Sequence, residues 1–193
     1  FIKFNSKTKF ICNFSANKLS NNKDELYSER VKVIEFFNSF YSDKFDLYGH
    51  GWDKAYRHPF VYNIFRFLNK NKIFRGISKV LINIQLFDKL LFTNYTVYKG
   101  PVANKFQVLK QYKFSICFEN IKNVDGFITE KIFDCFVCGV IPIYLGPKNI
   151  DKTIPKSTFI DMRDFSSYSK LFDYLSEMKE SEYKIYINNI KLY

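Results

Sequence analysis

The sequence predicts an α/β domain in which helices flank a parallel sheet. Three features of the sequence favour this fold class. Short, continuous apolar runs recur along the chain and are typical of strands buried on both faces. Segments with helical spacing of apolar residues alternate with them, and turn residues close several of the runs.

The first 48 residues predict a parallel βαβ unit. The run Phe10-Ile11-Cys12 predicts a strand over Lys7 to Phe14, and a polar loop follows over residues 15–24. A helix is predicted from Leu26 to Tyr41, and a second strand from Phe45 to Tyr48. The apolar residues that suit the helix are Val31, Val33, Ile34, Phe36, Phe37 and Phe40.

The middle of the chain is harder to interpret. Residues 52–98 are rich in Lys, Asn and Phe without clear periodicity, and we interpret them as a possible insertion. Gly100-Pro101 predicts a turn, and Lys105 to Tyr112 predicts a short helix.

A second run of strand, helix and strand follows. Phe114 to Phe118 predicts a buried strand, and residues 119–126 form a polar loop. Thr129 to Cys138 predicts a helix with one apolar face, with Gly139 suited to its C-terminal cap. Ile141 to Leu145 predicts the next buried strand.

The remaining residues complete the predicted sheet and its helical layers. Thr158 to Ile160 predicts a third strand in this half of the chain. Terminal helices are predicted from Tyr168 to Met178 and from Glu182 to Leu192.

Composition is compatible with one domain, or one lobe of a two-lobed enzyme, of 193 residues and 47% hydrophobic content. The formal net charge of +11 suggests an anionic partner: a nucleotide-sugar pyrophosphate, an acidic membrane surface or nucleic acid. Lys and Arg are scattered along the chain, which also fits a solvated surface. No apolar segment reaches the roughly 18 residues that a membrane span needs.

The four cysteines predict packing rather than metal binding. Cys12 and Cys117 lie inside apolar runs, where cysteine behaves as a small apolar residue. Cys135 and Cys138 share one face of a predicted helix, and no second pair or nearby His completes a zinc site.

The candidate site lies where the strand ending at Phe118 meets the helix that begins near Thr129. Ligands of parallel α/β sheets bind at the carboxyl ends of the strands. Glu119 and Asn120 occupy that position and can contact sugar or ribose hydroxyls. Thr129 can cap the helix, whose N-terminus stabilises phosphate, and Lys131 adds a positive charge.

Glu130, beside them, is free to accept a hydrogen bond from a diol. The same residues also fit an ordinary capped helix start after a strand. From spacing alone, they therefore predict only an anion or nucleotide site.

Five strings follow one another in the second half of the chain: Phe118–Asn120, Gly126–Ile132, Gly139–Gly146, Pro155–Ile160 and Asp164–Phe165. Their order resembles the α-1,3-fucosyltransferases of glycosyltransferase family 10. The resemblance is weaker in the N-terminal βαβ unit, where Arg30 opens the helix and Asp46–Gly49 closes the strand.

The resemblance implies a GT-B glycosyltransferase with two Rossmann-like lobes. Residues 1–193 would be the C-terminal, GDP-fucose-binding lobe, and the N-terminal acceptor lobe would be missing from this chain. The enzyme would transfer fucose from GDP-fucose to a hydroxyl of an acceptor glycan with inversion. The general base is expected in the missing lobe, and neither a metal nor another cofactor is expected.

The resemblance also implies roles for five residues. Arg30 and Lys131 would neutralise the pyrophosphate, while Asn120 and Glu130 would contact the nucleotide sugar. Phe127 stands where the family usually has Tyr, so its ring could pack against the donor without a hydroxyl contact. Glu119 and Thr129 are additional candidates.

By the same resemblance, the acceptor is expected to contain GlcNAc or galactose. We expect association with a membrane, at the cytoplasmic face of the inner membrane in a bacterium or in the Golgi lumen in a eukaryote, through a possible peripheral contact. No nucleic-acid partner is expected. The alternatives are a glycosyltransferase for another nucleotide sugar and a basic nucleic-acid-binding module, which the charge and the 20% aromatic content would favour.

Overall fold

The computed structural model describes residues 7–53, 55–56 and 92–193. Five parallel strands form one sheet in the order β2-β1-β5-β6-β7, and β3 pairs with β4 in a small antiparallel ribbon. The strands are β1 (Lys9–Phe14), β2 (Phe45–Tyr48), β3 (Ala55–Tyr56), β4 (Phe92–Thr93), β5 (Tyr112–Phe118), β6 (Ile141–Leu145) and β7 (Ile160–Asp161). The α-helices are α1 (Tyr27–Phe40), α2 (Lys105–Leu109), α3 (Glu130–Val137), α4 (Tyr168–Glu177) and α5 (Glu180–Leu192).

The predicted α/β class and the predicted βαβ unit are confirmed, but several predicted elements differ from the structure in their limits, by up to three residues. The helix expected to reach Tyr112 ends at Leu109, because Tyr112 is already the first residue of β5. The strand expected at 158–160 begins only at Ile160. Thr158 instead folds back on Pro155, whose carbonyl accepts from the Thr158 amide at 2.9 Å and from its hydroxyl at 2.7 Å. Such local bonds compete with strand pairing.

The ends of the segment interpreted as an insertion belong to the core. Trp52 is buried, and its indole Nε1 donates to the Ser15 carbonyl at 2.7 Å. Tyr95 packs edge-on against Trp52, with ring centroids 5.6 Å apart. Residues 54 and 57–91, and with them most of the predicted insertion, lie outside the described residues.

The sheet is buried on both faces, as the continuous apolar runs predicted. One core cluster joins the sheet to α1, α4 and α5 through Val33, Phe37, Leu171, Leu175 and Ile187. The other joins the opposite face to α2 and α3 through Leu109, Ile132, Cys135, Cys138 and Tyr144. All four cysteines are buried and free, as expected for packing residues. Across the described ranges, no helix meets the length and apolar content of a membrane span.

The strand order reverses between β1 and β5. The chain leaves β1 through α1 to reach β2 on one side of the sheet, and leaves β5 through α3 to reach β6 on the other. These crossover helices lie on opposite faces, and the segments that follow β1 and β5 meet at the carboxyl ends of the strands. The Leu26 amide donates to the Asn120 carbonyl and the Lys122 amide to the Asp24 carbonyl, each at 3.0 Å. Ligands of open α/β sheets bind in this position.

Lys7 lies beyond the opposite, amino end of the sheet and joins two helix ends. Its ammonium donates to the carbonyls of Lys110 at 2.8 Å and of Cys138 at 2.9 Å, the C-cap residues of α2 and α3. A cation is favourable at this end of a helix. Only 5% of Lys7 is exposed, and burial lowers its pKa to about 8.

We predict that Lys7→Met changes how stability depends on pH. The folded pKa of Lys7, about 8, lies below its ordinary value of 10.5, so the unfolded chain binds more protons between these pH values. The contribution of Lys7 to stability therefore rises with pH across this window, and the variant lacks that gain. The difference in free energy of unfolding should grow by about 3 kcal/mol in favour of the wild type.

Urea unfolding at several pH values measures this difference. Lys184→Met is the control, because Lys184 forms an exposed ion pair with Glu180 and should give a nearly constant difference. A constant difference for Lys7→Met as well would contradict the prediction.

Candidate active site

Glu119 occupies the rim of the sheet directly after β5. Its amide donates to the Leu145 carbonyl at 2.7 Å, so pairing with β6 continues one residue beyond the strand. Because side chains alternate along a strand, Glu119 points to the same face as Cys117, the face that α3 covers. None of the Glu119 residue surface is exposed.

The buried carboxylate of Glu119 accepts three hydrogen bonds. The donors are the Thr129 amide at 2.9 Å, the Thr129 hydroxyl at 2.6 Å and the Lys131 ammonium at 2.9 Å. Lys131 also donates to the Thr129 hydroxyl oxygen at 3.0 Å, which closes a ring of three side chains. Bonds of this kind to a charged group are stronger than neutral ones, so they fix the start of α3 against the end of β5.

Thr129 occupies the N-cap position of α3, as predicted. The expectation that its side chain caps the helix is wrong. Its side chain makes no capping bond, since the hydroxyl is engaged by Glu119 and Lys131. The first turn of α3 therefore lacks a side-chain cap, which leaves the positive end of the helix dipole for another acceptor.

Arg30 reaches the same rim from α1, on the other face of the sheet. Its Nη2 donates to the carbonyls of Phe118 at 2.9 Å and of Glu119 at 3.1 Å, and to Asn120 Oδ1 at 3.3 Å. The guanidinium also lies 5.1 Å from the centre of the Tyr27 ring. These partners are uncharged, and burial lowers the pKa of Arg30 from its ordinary value.

The structure brings together five of the residues predicted from the sequence. Arg30 contacts the backbone of Glu119 and the side chain of Asn120, while Lys131 and Thr129 contact the carboxylate of Glu119. The Asn120 carbonyl accepts from the Leu26 amide at 3.0 Å, which joins this loop to the start of α1. The two remaining predicted residues flank this cluster, with Phe127 half-buried and Glu130 exposed.

One expectation about Glu119 needs correction. Its carboxylate was expected to contact sugar or ribose hydroxyls, but it is fully buried and bonded to Thr129 and Lys131. The three ionised groups of the cluster are then one carboxylate and two cations. Together with the open N-terminus of α3, this arrangement favours an anion.

Tyr144 is the site residue that sequence reasoning missed. It was interpreted only as part of a buried strand, yet its hydroxyl is buried without a hydrogen-bond partner among the described residues. It lies near Glu119, whose charge, after burial itself, raises the pKa of Tyr144. A phenol two residues before Gly146, in an otherwise apolar run, was the available signal.

No metal centre accompanies this cluster in the part of the chain that the structure describes. There, no three or more His, Cys, Asp or Glu side chains are grouped as metal ligands.

Comparison with known proteins gives a family match over most of the chain. The model of the family described as glycosyltransferase family 10 (fucosyltransferase) C-term matches residues 54–189. The α-(1,3)-fucosyltransferase FucT of Helicobacter pylori is 39% identical over 74 residues, which cover 38% of this chain and 15% of that protein. The 4-galactosyl-N-acetylglucosaminide 3-α-L-fucosyltransferase 9 of Mus musculus is 37% identical over 87 residues, which cover 44% of this chain and 24% of that protein.

Solved structures show the same fold. A crystal structure of an α1,3-fucosyltransferase with GDP-fucose matches 94% of this chain and 39% of that chain, with a TM-score of 0.55 and 21% sequence identity. The structure of an α1,3-fucosyltransferase with GDP gives a TM-score of 0.56 at the same identity. The matched region therefore spans well under half the length of these relatives.

We predict that Lys131→Met destabilises the folded chain by about 2–3 kcal/mol, because it leaves the buried Glu119 carboxylate without its cation. The double variant Lys131→Met/Glu119→Gln should recover most of this loss. Urea unfolding at neutral pH measures both. The control is Lys156→Met, which breaks an exposed pair with Asp164 and should cost less than about 1 kcal/mol. Equal losses for the two lysine variants would show that the Glu119 pair is not a buried one.

Proposed function

This chain belongs to glycosyltransferase family 10, and on that basis we propose that it forms the GDP-fucose-binding part of an α-1,3-fucosyltransferase. The observation that carries the proposal is the convergence of Arg30 and Lys131 on Glu119 at the strand-order reversal. Lys131 lies within the matched segment. The names of the relatives support the reaction, and the similar crystal structure with GDP-fucose supports the donor.

The proposed reaction requires charge stabilisation at a leaving group. A hydroxyl oxygen of the acceptor attacks the anomeric carbon of fucose from the face opposite GDP. The bond between that carbon and the β-phosphate oxygen breaks, and its electron pair remains on GDP. Fixed cations and a helix N-terminus stabilise this growing charge more in the transition state than in the ground state.

Lys131 is held in a suitable orientation for this role. Two of its three N–H groups are directed at Glu119 and Thr129, which leaves the third for a phosphate oxygen. Its side chain is 16% exposed, so a ligand can reach it. Arg30 is held against the backbone carbonyls of the same loop and adds a second charge behind it.

Three flanking residues would orient the donor. The Asn120 side chain accepts from Arg30 through Oδ1, so its amide NH₂ can donate to the nucleotide sugar. Glu130 is exposed at the first turn of α3 and can accept from a sugar or ribose hydroxyl. Phe127 offers an aromatic face to the donor without a hydroxyl.

The remaining parts of the proposal lie outside the described cluster. The general base that accepts the proton of the acceptor hydroxyl would come from a lobe beyond this chain. The acceptor would be a glycan containing GlcNAc or galactose, in agreement with the name of the mouse relative. Membrane association, in the compartment that the source organism dictates, fits the net charge of +11.

We predict that the chain binds GDP and that Lys131→Met weakens this binding about tenfold or more, which corresponds to ~1.4 kcal/mol. Arg30→Gln should weaken it to a similar extent. Lys156→Met, which removes a lysine of an exposed pair, should leave it unchanged. Calorimetric titration with GDP and with UDP measures the two affinities, and their ratio gives the preference for guanine over uracil.

The same titrations separate the alternatives. A folded wild-type chain that does not bind GDP would contradict the proposal. Equal affinity for GDP and UDP would favour a different nucleotide sugar. Salt-dependent binding of an oligonucleotide that GDP does not displace would favour the nucleic-acid-binding module.

A further inference from the structure

The hydroxyl of Tyr144 is a buried polar group that the contacts described so far leave unexplained. Tyr144 is 0% exposed, and its hydroxyl has no hydrogen-bond partner among the described residues. Buried polar groups in folded proteins are almost always bonded, so an exception needs a physical reason. The hydroxyl can donate, because burial and the nearby charge of Glu119 raise the pKa of Tyr144 and keep the phenol protonated.

Tyr144 and Glu119 share one face of the sheet and approach each other over Gly146. Tyr144 pairs in register with Cys117, two residues before Glu119. A Cβ atom placed on Gly146 would lie 2.3 Å from the Tyr144 hydroxyl oxygen and 2.9 Å from Glu119 Cγ. The glycine therefore leaves no side chain between the phenol and the glutamate.

While Lys131 contacts it, the Glu119 carboxylate accepts three hydrogen bonds. Oε1 accepts from the Thr129 amide, and Oε2 accepts from the Thr129 hydroxyl and the Lys131 ammonium. If Lys131 turns fully toward a phosphate, it must loosen its contact with Oε2. A buried carboxylate that loses its cation is costly unless another donor replaces it.

We propose that the Tyr144 hydroxyl replaces Lys131 as a donor to Glu119 when Lys131 turns toward the phosphates of a nucleoside diphosphate. Glu119 and Tyr144 are then positioning residues that act through Lys131 and do not contact the ligand. This inference rests on the proposed function for the identity of the ligand. The exchange moves no proton, since Tyr144 donates one hydrogen bond in place of one from Lys131.

The exchange accounts for the position of the hydroxyl. A phenol beside a buried carboxylate forms a strong, charge-assisted hydrogen bond once the competing cation leaves. While Lys131 contacts Glu119, this bond is absent and the buried hydroxyl is unfavourable. Tyr144 therefore favours the state in which Lys131 is available to the ligand.

A thermal-unfolding cycle tests the contact between Tyr144 and Glu119 without any ligand. In the wild-type background, Tyr144→Phe should leave Tm unchanged or raise it, because it removes an unbonded hydroxyl. In the Lys131→Met background, Tyr144 is expected to donate to Glu119 permanently, so Tyr144→Phe should lower Tm by about 2–4 °C. Equal shifts in the two backgrounds would overturn the inference.

Tyr183→Phe is the matched control. Tyr183 is a buried tyrosine that packs on Phe114 at the opposite face of the sheet. Its substitution should change Tm by the same amount in both backgrounds, because Tyr183 packs on the face of the sheet that Glu119 does not share.

Titration with GDP tests the effect on binding. Tyr144→Phe should weaken GDP binding about 3- to 10-fold, and Tyr183→Phe should not change it. In the Lys131→Met background, Tyr144→Phe should have no further effect on GDP affinity. Wild-type affinity in the Tyr144→Phe single variant would overturn the inference. If Lys131→Met does not fold, the GDP titration of this single variant is sufficient to test the inference.

A wild-type chain that binds no GDP would instead overturn the proposed function. The thermal cycle would still decide whether Tyr144 can serve as a donor to Glu119.

Discussion

The buried carboxylate of Glu119 is the constraint on which the site depends. A charge with no exposed surface, at the end of a central strand, needs strong donors close by. Thr129 and Lys131 supply them from the start of α3, so satisfying this one charge closes the loop between β5 and α3. The same contacts hold a partly exposed ammonium group at the carboxyl-end rim of the sheet, where it can meet a phosphate.

The topology of the sheet explains why two cations from distant parts of the sequence meet here. Helices α1 and α3 lie on opposite faces because the strand order reverses between β1 and β5. Arg30 extends from one face to the backbone of Glu119, and Lys131 extends from the other to its carboxylate. The paired backbone between them is a rigid support. Arg30 is fixed there, and Lys131 needs only a local turn away from Glu119 to meet a phosphate. Little rearrangement then remains for the reaction itself, which is how electrostatic stabilisation becomes effective.

The sequence was informative where local pattern decides structure. Short, mostly apolar segments that end at a glycine located β2 and β6 to the residue, because most side chains of both strands are buried. The sequence pattern failed where a side-chain hydrogen bond or a neighbouring element sets the limits of a strand or helix. The hydroxyl of Thr158 bonds back to Pro155 and favours a turn where a strand was predicted. Tyr112, predicted to end a helix, is instead the first residue of β5.

The same limit applies to the site. Motif order indicated Arg30, Asn120 and Lys131, and the structure brings them to one rim. Motif order could not show that Glu119 faces inward, because this orientation depends on the continued pairing of β5 with β6 and on the donors at the start of α3. Nor could it distinguish Tyr144 from its apolar neighbours, since the unbonded state of its hydroxyl is a property of the packed structure.

A basic cavity of about 480 Å³ at the amino ends of the strands offers an alternative place for an anion, and it is lined in part by Lys7, Lys9, Lys44 and Lys113. Mapping of backbone amide NMR shifts during GDP titration decides between the two ends of the sheet. The largest shifts should fall on Asn120, Thr129 and Lys131, with Lys9 and Lys44 unchanged. Shifts concentrated at the lysine cavity, with the rim around Glu119 unchanged, would contradict a nucleotide site at the strand-order reversal.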